Sequence, residues 1–515
     1  MSEGRRPVQN SDNAYVLDEP YTWSYFEFQN PLLLSYVAML HGHAGPNPYE
    51  AFSYCDLGCG NGVTLNFLAA SFPKGRFVGV DFNPTHIENA ATCAAEAFST
   101  NIAFLNQSFE AFAEHEGEPF DYIALHGIYS WVGAGIRKQI LEIVRRKLKP
   151  GGLVYVSYNC LPGWSELIPL WKMMNAHTSD LEMDSLSKAR HGLTLLETLR
   201  DNGARYFTET PAAGRYLDKM LGRNLSYVAH EFCNDTFEPQ YFIDVAGDFS
   251  SAGLRYAGTA KIHRNDLAAI VPPKLLDHVR DGRDRTEAES RASFVRNEFF
   301  RRDIYARPGP APERPWSFDD MVLGAKVTEP EIESKISHNY RSYELDETLL
   351  TLIAARDWRI RDLKNTEQLS RLDGDHIDRQ LHRCLAGGQF QTILKPGRPR
   401  SANPDKPLVM GDTVNRVFLK RLIDLDGKAY LTARNFGQVV RLRLIYALFT
   451  EALLTRSMND ARAHVTSRLE RIPPADRQRL GVPGDTDLSS WILQYERRYR
   501  EQKLPILMKY GILTQ

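Results

Sequence analysis

The chain has 515 residues, 43% apolar and 25% charged, and a formal net charge of −1. That length exceeds one domain and predicts about three, at roughly 100–200 residues each. A balanced charge gives no global attraction to nucleic acid or to an anionic membrane, so neither is expected as a partner.

Six cysteines (Cys55, Cys59, Cys93, Cys160, Cys233 and Cys384) are scattered, with no CxxC pair matched by a second pair or a histidine set. No zinc or disulfide framework is expected, no metal site is assigned, and reduced thiols suit a cytoplasmic location. The opening MSEGRRPVQNSDN lacks the apolar core of a signal peptide. The most apolar later run, LRLIYALFTEALL, is interrupted by Arg443 and Glu451. No segment reaches the roughly 20 apolar residues of a membrane span.

The first predicted element is a tyrosine-rich arm and helix, YTWSYFEFQNPLLLSYVAML. Tyr15 or Tyr21 would lid a site, whereas Phe26, Phe28 and Tyr36 read as a stripe packing on a sheet. Five apolar strands follow: FSYCDL (52–57), RFVGVDF (76–82), NIAFLNQ (101–107), FDYIAL (120–125) and GLVYVSYN (152–159). Amphipathic helices separate them, one entered through Pro84, another read at RKQILEIVRRKL. Such alternation predicts an α/β fold with a parallel sheet covered on both faces. Residues 166–238 turn helical and polar and read as an insertion, and 239–270 as a return to the sheet. A middle or regulatory domain, 271–400, holds the Pro-rich linker RPGPAPERP and a small helical or winged-helix-like module; 401–515 reads as a mainly helical C-terminal domain.

The strongest chemical signal is YCDLGCGNGVT, Tyr54 to Thr64. Gly58, Gly60 and Gly62 permit a tight turn and close approach to a ligand, and the next helix aims free N–H groups at an anion. Asp81 closes the second strand 19 residues after Gly62, placed to bind a ribose diol, with Phe82 beside it. A dinucleotide fingerprint would read GxGxxG. Here Asp56 leads the loop, and an acid repels a pyrophosphate but suits an ammonium. The cofactor expected is therefore S-adenosylmethionine. The third strand's end, Asn106-Gln107-Ser108-Phe109, would meet the adenine through Ser108 and Phe109, although Phe109 fits ordinary helix–sheet packing equally well.

Two stretches end strands at the sheet edge where such folds bind ligands. HGIYSW follows the fourth strand and SYNCLPGW lies at the end of the fifth. His126 and Gly127 read as cofactor contacts, His126 alternatively as a satisfied core histidine. Tyr129, Trp131, Tyr158, Asn159 and Trp164 would project towards the methyl acceptor. An aromatic channel lowers the pKa of an entering lysine by desolvation and tolerates its methylated cation. An oxygen nucleophile would need a base instead, for which His126 and His230 are the candidates. The basic run 136–149 and the Arg-rich run 280–302, interleaved with acids, read as solvated or internally paired faces.

The first 165 residues resemble a class I S-adenosylmethionine-dependent methyltransferase. HGIYSWV, SYNCLPGW, the N-terminal YTWSYFEFQNPLLLSYVAMLHG and YVAHEFCNDTFEPQYF are similar to bacterial methyltransferases with a methyltransferase regulatory domain. That group includes rickettsial protein-lysine methyltransferases acting on outer-membrane proteins. The resemblance implies a Rossmann-like, doubly wound seven-stranded sheet and a protein lysine as acceptor. It also implies a dimer contact in the 166–238 insertion. A small-molecule or glycan O-/N-methyltransferase, or a cofactor-sensing interaction module, are the alternative readings.

Overall fold

The computed structural model describes residues 23–310, 316–403, 406–473, 477, 481–482 and 487–515. Tyr15 and Tyr21 lie outside the described residues. The N-terminal part is a Rossmann-like sheet built from β1 (Phe52–Leu57), β2 (Gly75–Asp81), β3 (Ile102–Asn106), β4 (Phe120–Leu125) and β5 (Leu148–Leu161). The apolar runs of β1, β2, β4 and β5 are buried on both faces, as parallel strands under helices require, and the edge strand β3 is only partly covered; β1 is buried along its whole length. Short β6 (Gln240–Tyr241) pairs with the end of β5, and β7 (Arg255–Thr259) and β8 (Phe300–Ala306) complete the sheet.

The order is β3-β2-β1-β4-β5-β8-β7, seven strands, with β8 antiparallel to both β5 and β7. The strand order reverses between β1 and β4, which places the ligand crevice outside their carboxyl ends. Helices α1 (Pro31–Leu40), α2 (Val63–Ser71), α3 (Pro84–Glu96), α4 (Phe109–Glu114) and α5 (Ala134–Lys147) cover the sheet. The helix at Pro84 begins where expected: Asn83 caps it, accepting from the Thr85 and His86 N–H groups.

The return to the sheet does not end at 270. Its central antiparallel strand, β8, comes from the segment read as the start of the middle domain. FRRDIYA does not look like a buried strand because Arg301 and Asp303 interrupt it. Both charges are buried at 3% and 0% exposure, which is tolerable only because they pair. Arg301 donates to Asp303 (2.8 Å) and Glu289 (3.0 Å), and Tyr158 donates its hydroxyl to Asp303 (2.6 Å).

The 166–238 segment is helical, comprising α6 (Ile168–Thr178), α7 (Ser185–Asp201), α8 (Arg205–Glu209), α9 (Pro211–Leu221) and α10 (Leu225–Phe232) around its own core. In the middle segment a three-stranded antiparallel sheet (Trp358–Arg359, Val322–Ala325, Phe390–Ile393) packs with helices Glu347–Ala355 and Gly374–Gly387. The C-terminal part adds helices and one hairpin, Lys428–Thr432 with Val439–Arg443. It clasps the catalytic sheet: Phe418 packs on Phe67 with ring centroids 5.0 Å apart, Arg421 pairs with Glu96 at 2.8 Å, and Asn30 donates to the Gly437 carbonyl. No described helix is long and apolar enough to cross a membrane.

Candidate active site

Two adjoining cavities open at the switch point between β1 and β4, sharing Gly58, Gly60 and His126. The larger encloses about 1040 Å³. All ten described residues expected at the cofactor line one or the other: Asp56, Gly58, Gly60, Gly62, Asp81, Phe82, Ser108, Phe109, His126 and Gly127.

The glycine loop has the backbone its sequence requires. Gly58, Gly60 and Gly62 all have positive φ, at 74°, 54° and 66°. A Cβ on Gly58 would lie 2.5 Å from Ile128, and one on Gly62 2.5 Å from Ala90. A Cβ on Gly60 would meet nothing within 4 Å, because its face is open to the cavity. The loop is tied to β2 by Gly58 N–H donating to the Val80 carbonyl (2.7 Å) and by Gly60 N–H donating to Asp81 Oδ2 (2.9 Å). Asp81 also accepts from the Asn83 N–H at 2.9 Å. Its carboxylate is thereby held at the mouth of the larger cavity.

Asp56 lies in the smaller cavity, 4% exposed. Burial, and then the charge of Asp81, push its carboxyl up to about 8. A buried acid of this kind is costly unless a cation meets it. Its one described side-chain partner is Gln29, which donates Nε2 to Oδ1 at 3.2 Å. Gln29 Oε1 is itself buried without a hydrogen-bond partner. Two acceptor groups therefore converge on one small space, an arrangement suited to an ammonium. Sequence reasoning missed Gln29, since it precedes Asp56 by 27 residues and belongs to no motif.

His126 forms the wall between the cavities. Its Nδ1 contacts the Tyr155 hydroxyl (2.9 Å) and Ser157 Oγ (3.1 Å), and its ring stacks on Phe26 at 3.9 Å. Burial, reinforced by the nearby Arg302, lowers its pKa to about 3. It is both a satisfied histidine and a cavity wall, and it stays neutral at working pH. Phe26, read from sequence as sheet packing, covers it. Gly127, at φ 68°, donates its N–H to Ser157 Oγ at 2.8 Å.

Ser108 caps α4, its hydroxyl accepting from the Ala111 N–H at 3.1 Å, so that oxygen is already engaged. Gln107 is better placed for a base edge. It lines the larger cavity, and its buried Oε1 has no hydrogen-bond partner.

The acceptor side differs from expectation. Trp131 lines the larger cavity and stacks on Phe237 at 4.4 Å. Tyr129 does not: the turn closed by Trp131 N–H to the Ile128 carbonyl (2.8 Å) points it behind the sheet. It is fully buried and donates to Asp248 at 2.6 Å. Tyr158 is buried against β8 through its bond to Asp303. Asn159 uses its backbone N–H to bond Ser130 Oγ at 2.9 Å. Trp164 sits in the core of the insertion, stacked on Phe299 at 4.6 Å, 1% exposed and with its indole N–H unpartnered. Of the five, only Trp131 reaches the cavity. The rest of that wall comes from Ile128, Val132, Ile136, Gln139 and, out of the insertion, Thr236. The last is fixed by its neighbours: Glu238 N–H donates to the Ser130 carbonyl, and Glu238 pairs with Arg137 at 2.5 Å.

Residues 50–203 match a family model described as a methyltransferase domain, and residues 224–307 one described as a predicted methyltransferase regulatory domain. An uncharacterized Rickettsia prowazekii protein is 32% identical over 232 residues, spanning 45% of this chain and 92% of that one. The chain belongs to the methyltransferase family that carries this regulatory domain. An uncharacterized Synechocystis protein is 35% identical over 296 residues, and the chain spans 58% of its length. The solved structure of PKMT2 from Rickettsia typhi in complex with AdoHcy has the same fold, with a TM-score of 0.67 at 20% identity, covering 96% of this chain and 100% of that one. The regulatory-domain match runs from α10 to just beyond β8, so it includes the last strands of the methyltransferase's own sheet.

The methyltransferase's cofactor is S-adenosylmethionine, and the cavity residues fit it. Asp56 and Gln29 would take the ammonium, Asp81 the ribose hydroxyls, and Gln107 Oε1 with Phe109 the adenine. The open face of Gly60 leaves room for backbone approach. The sulfonium would supply an activated methyl carbon, and Trp131 stands on the wall of the same cavity.

Proposed function

We propose that the protein transfers the methyl group of S-adenosylmethionine to an amine, the ε-nitrogen of a protein lysine. The observation that carries this reading is the character of the larger cavity. Its described ionisable groups are Asp81, His86 and His126. Asp81 is engaged by two backbone N–H groups, His86 is buried with its Nδ1 3.6 Å from Asp81, and His126 is held neutral with its Nδ1 engaged. With Asp81 and His126 engaged, an alcohol or phenol acceptor, which needs a general base, would have His86 alone among the described residues lining the cavity. An amine needs none once it is deprotonated.

The cost of that deprotonation is bounded. A lysine of pKa ~10.4 is neutral in about 1 molecule in 2,500 at pH 7, a penalty of roughly 4.6 kcal/mol. The apolar wall of Ile128, Trp131, Val132 and Ile136 would reduce it by desolvating the ammonium. Alignment of amine and methyl carbon would supply the remaining acceleration. The resemblance to rickettsial protein-lysine methyltransferases supports the same acceptor. The helical insertion is the element we assign to a homodimer contact, supported by the exposed apolar side chains Met173 and Leu221; sedimentation of a doubly charged variant at these positions tests it.

Incubating the protein with cell extract and methyl-labelled S-adenosylmethionine, then separating macromolecules from small molecules, tests the acceptor class. Label in the protein fraction is expected. Label confined to small molecules would replace this reading with a metabolite methyltransferase.

A further inference from the structure

A second large concavity, about 980 Å³, lies away from the cofactor cavities, between the end of α1, the turn after β7 and the middle segment. Its lining is mostly apolar, with cationic side chains set into it. Three guanidiniums reach it: Arg341 from the hairpin Lys335–Ser337/Ser342–Glu344, and Arg379 and Arg383 from the helix Gly374–Gly387. None of the three pairs with a carboxylate among the described residues. This contrasts with the Arg-rich run at 280–302, where Arg283, Arg291, Arg296 and Arg301 are each matched to an acid.

The one acid lining the concavity is already engaged. Asp266 accepts from the Tyr343 hydroxyl and from the Ala268 N–H, where it caps its own helix. Arg341 and Arg383 both lie over the Tyr343 ring, at 5.5 and 4.4 Å from its centroid, so two positive groups are gathered at one aromatic ring. Imidazoles share the remaining wall with Leu40, Ile262 and Ala386. His263 stacks on His338 at 5.3 Å, and His382 contacts the Tyr36 hydroxyl through Nδ1 at 2.8 Å. Burial lowers the pKa of both His263 and His382 to about 4. They are neutral groups, and the guanidiniums carry the permanent charge.

Cations converging on a concave surface repel one another, and the concavity focuses their field on any anion that enters. Guanidiniums present planar forks of donors matched to phosphate oxygens. Walls from four elements bound the space and suit a compact ligand better than an extended chain. We propose that this concavity binds a small phosphate-bearing anion, held by Arg341, Arg379 and Arg383. The site is separate from the methyl-transfer cavity and does not rest on the lysine reading.

Titration calorimetry of the full chain with inorganic tripolyphosphate tests it, with hexaglutamate as the carboxylate comparison. Saturable binding of tripolyphosphate is expected, weakened at least about 10-fold by R379A/R383A, since each charged hydrogen bond lost is worth that order. S-adenosylhomocysteine titrated into the same variant checks that it has folded and should bind as in wild type. A single R341A variant gives the independent repeat should the double variant misfold. Absence of tripolyphosphate binding at millimolar concentration, or equal affinity in the folded variants, would overturn the site. Tighter binding of hexaglutamate would overturn its assignment to phosphate.

Discussion

Gln29 donates its Nε2 to Asp56 Oδ1 at 3.2 Å while its own Oε1 stays buried and unpartnered. The pair brings two oxygen acceptors to the smaller cavity, one on the arm before α1 and one at the end of β1. Gln29→Ala should weaken S-adenosylhomocysteine binding at least about 10-fold, from a lost bond of roughly 1.5–3 kcal/mol to a charged group. Calorimetry measures it; unchanged affinity would detach Gln29 from the site.

Asp56 predicts a pH dependence of cofactor binding. In the free protein its pKa stands near 8, so below that pH the carboxyl is protonated and must lose its proton to meet an ammonium. Affinity should therefore rise with pH between about 6 and 8, by up to tenfold per unit, with proton release on binding. Asp56→Asn should flatten the profile and weaken binding throughout. The stability effect has the opposite sense. A raised carboxyl pKa penalises the fold progressively from about pH 4, where the unfolded group ionises, to about pH 8, and the penalty is constant above that. The melting temperature of Asp56→Asn should thus gain on wild type as pH rises across that window.

Tyr158→Phe and Arg301→Ala separate core from acceptor site. Tyr158 donates to Asp303 inside the β5–β8 pair, so Tyr158→Phe should cost about 1 kcal/mol of stability and leave kcat nearly unchanged. Arg301→Ala removes the cation paired with the buried Asp303, leaves Glu289 to Arg296 alone, and should cost about 3–5 kcal/mol. Trp131→Ala should do the reverse, retaining most of the stability and losing turnover. Denaturant unfolding and initial rates on each variant check the three.

Gly62→Ala should destabilise the protein by more than about 1 kcal/mol. The position has φ 66° and its Cβ would meet Ala90 at 2.5 Å and Phe104 at 2.8 Å. A thermal shift of several degrees downward is expected.

What was legible in the sequence is what local chemistry dictates. Strands β1 and β4 carry the bounds their apolar runs predict, and the glycine loop, Asp56 and Asp81 sit at the switch point as their spacing implies. What was not legible depends on partners distant in the chain. FRRDIYA becomes a strand only because Glu289 and Tyr158 help to satisfy its charges. Tyr129 and Trp131 look equivalent in HGIYSW, but the turn between them sends one to Asp248 and the other to the cavity. Gln29 carries no motif, and its unpartnered oxygen, like that of Gln107 in the adenine stretch, appears only when the cavity does.

The central claim, methyl transfer to a lysine amine from a cofactor held by Asp56 and Asp81, has one direct measurement. Protein labelled by the wild-type enzyme with methyl-labelled S-adenosylmethionine is hydrolysed in acid, and its amino acids are separated, with Asp81→Ala run in parallel. The label is expected in methylated lysine and nearly absent from the Asp81→Ala reaction. Label released as volatile methanol or found in another residue, or equal labelling by Asp81→Ala, would contradict it.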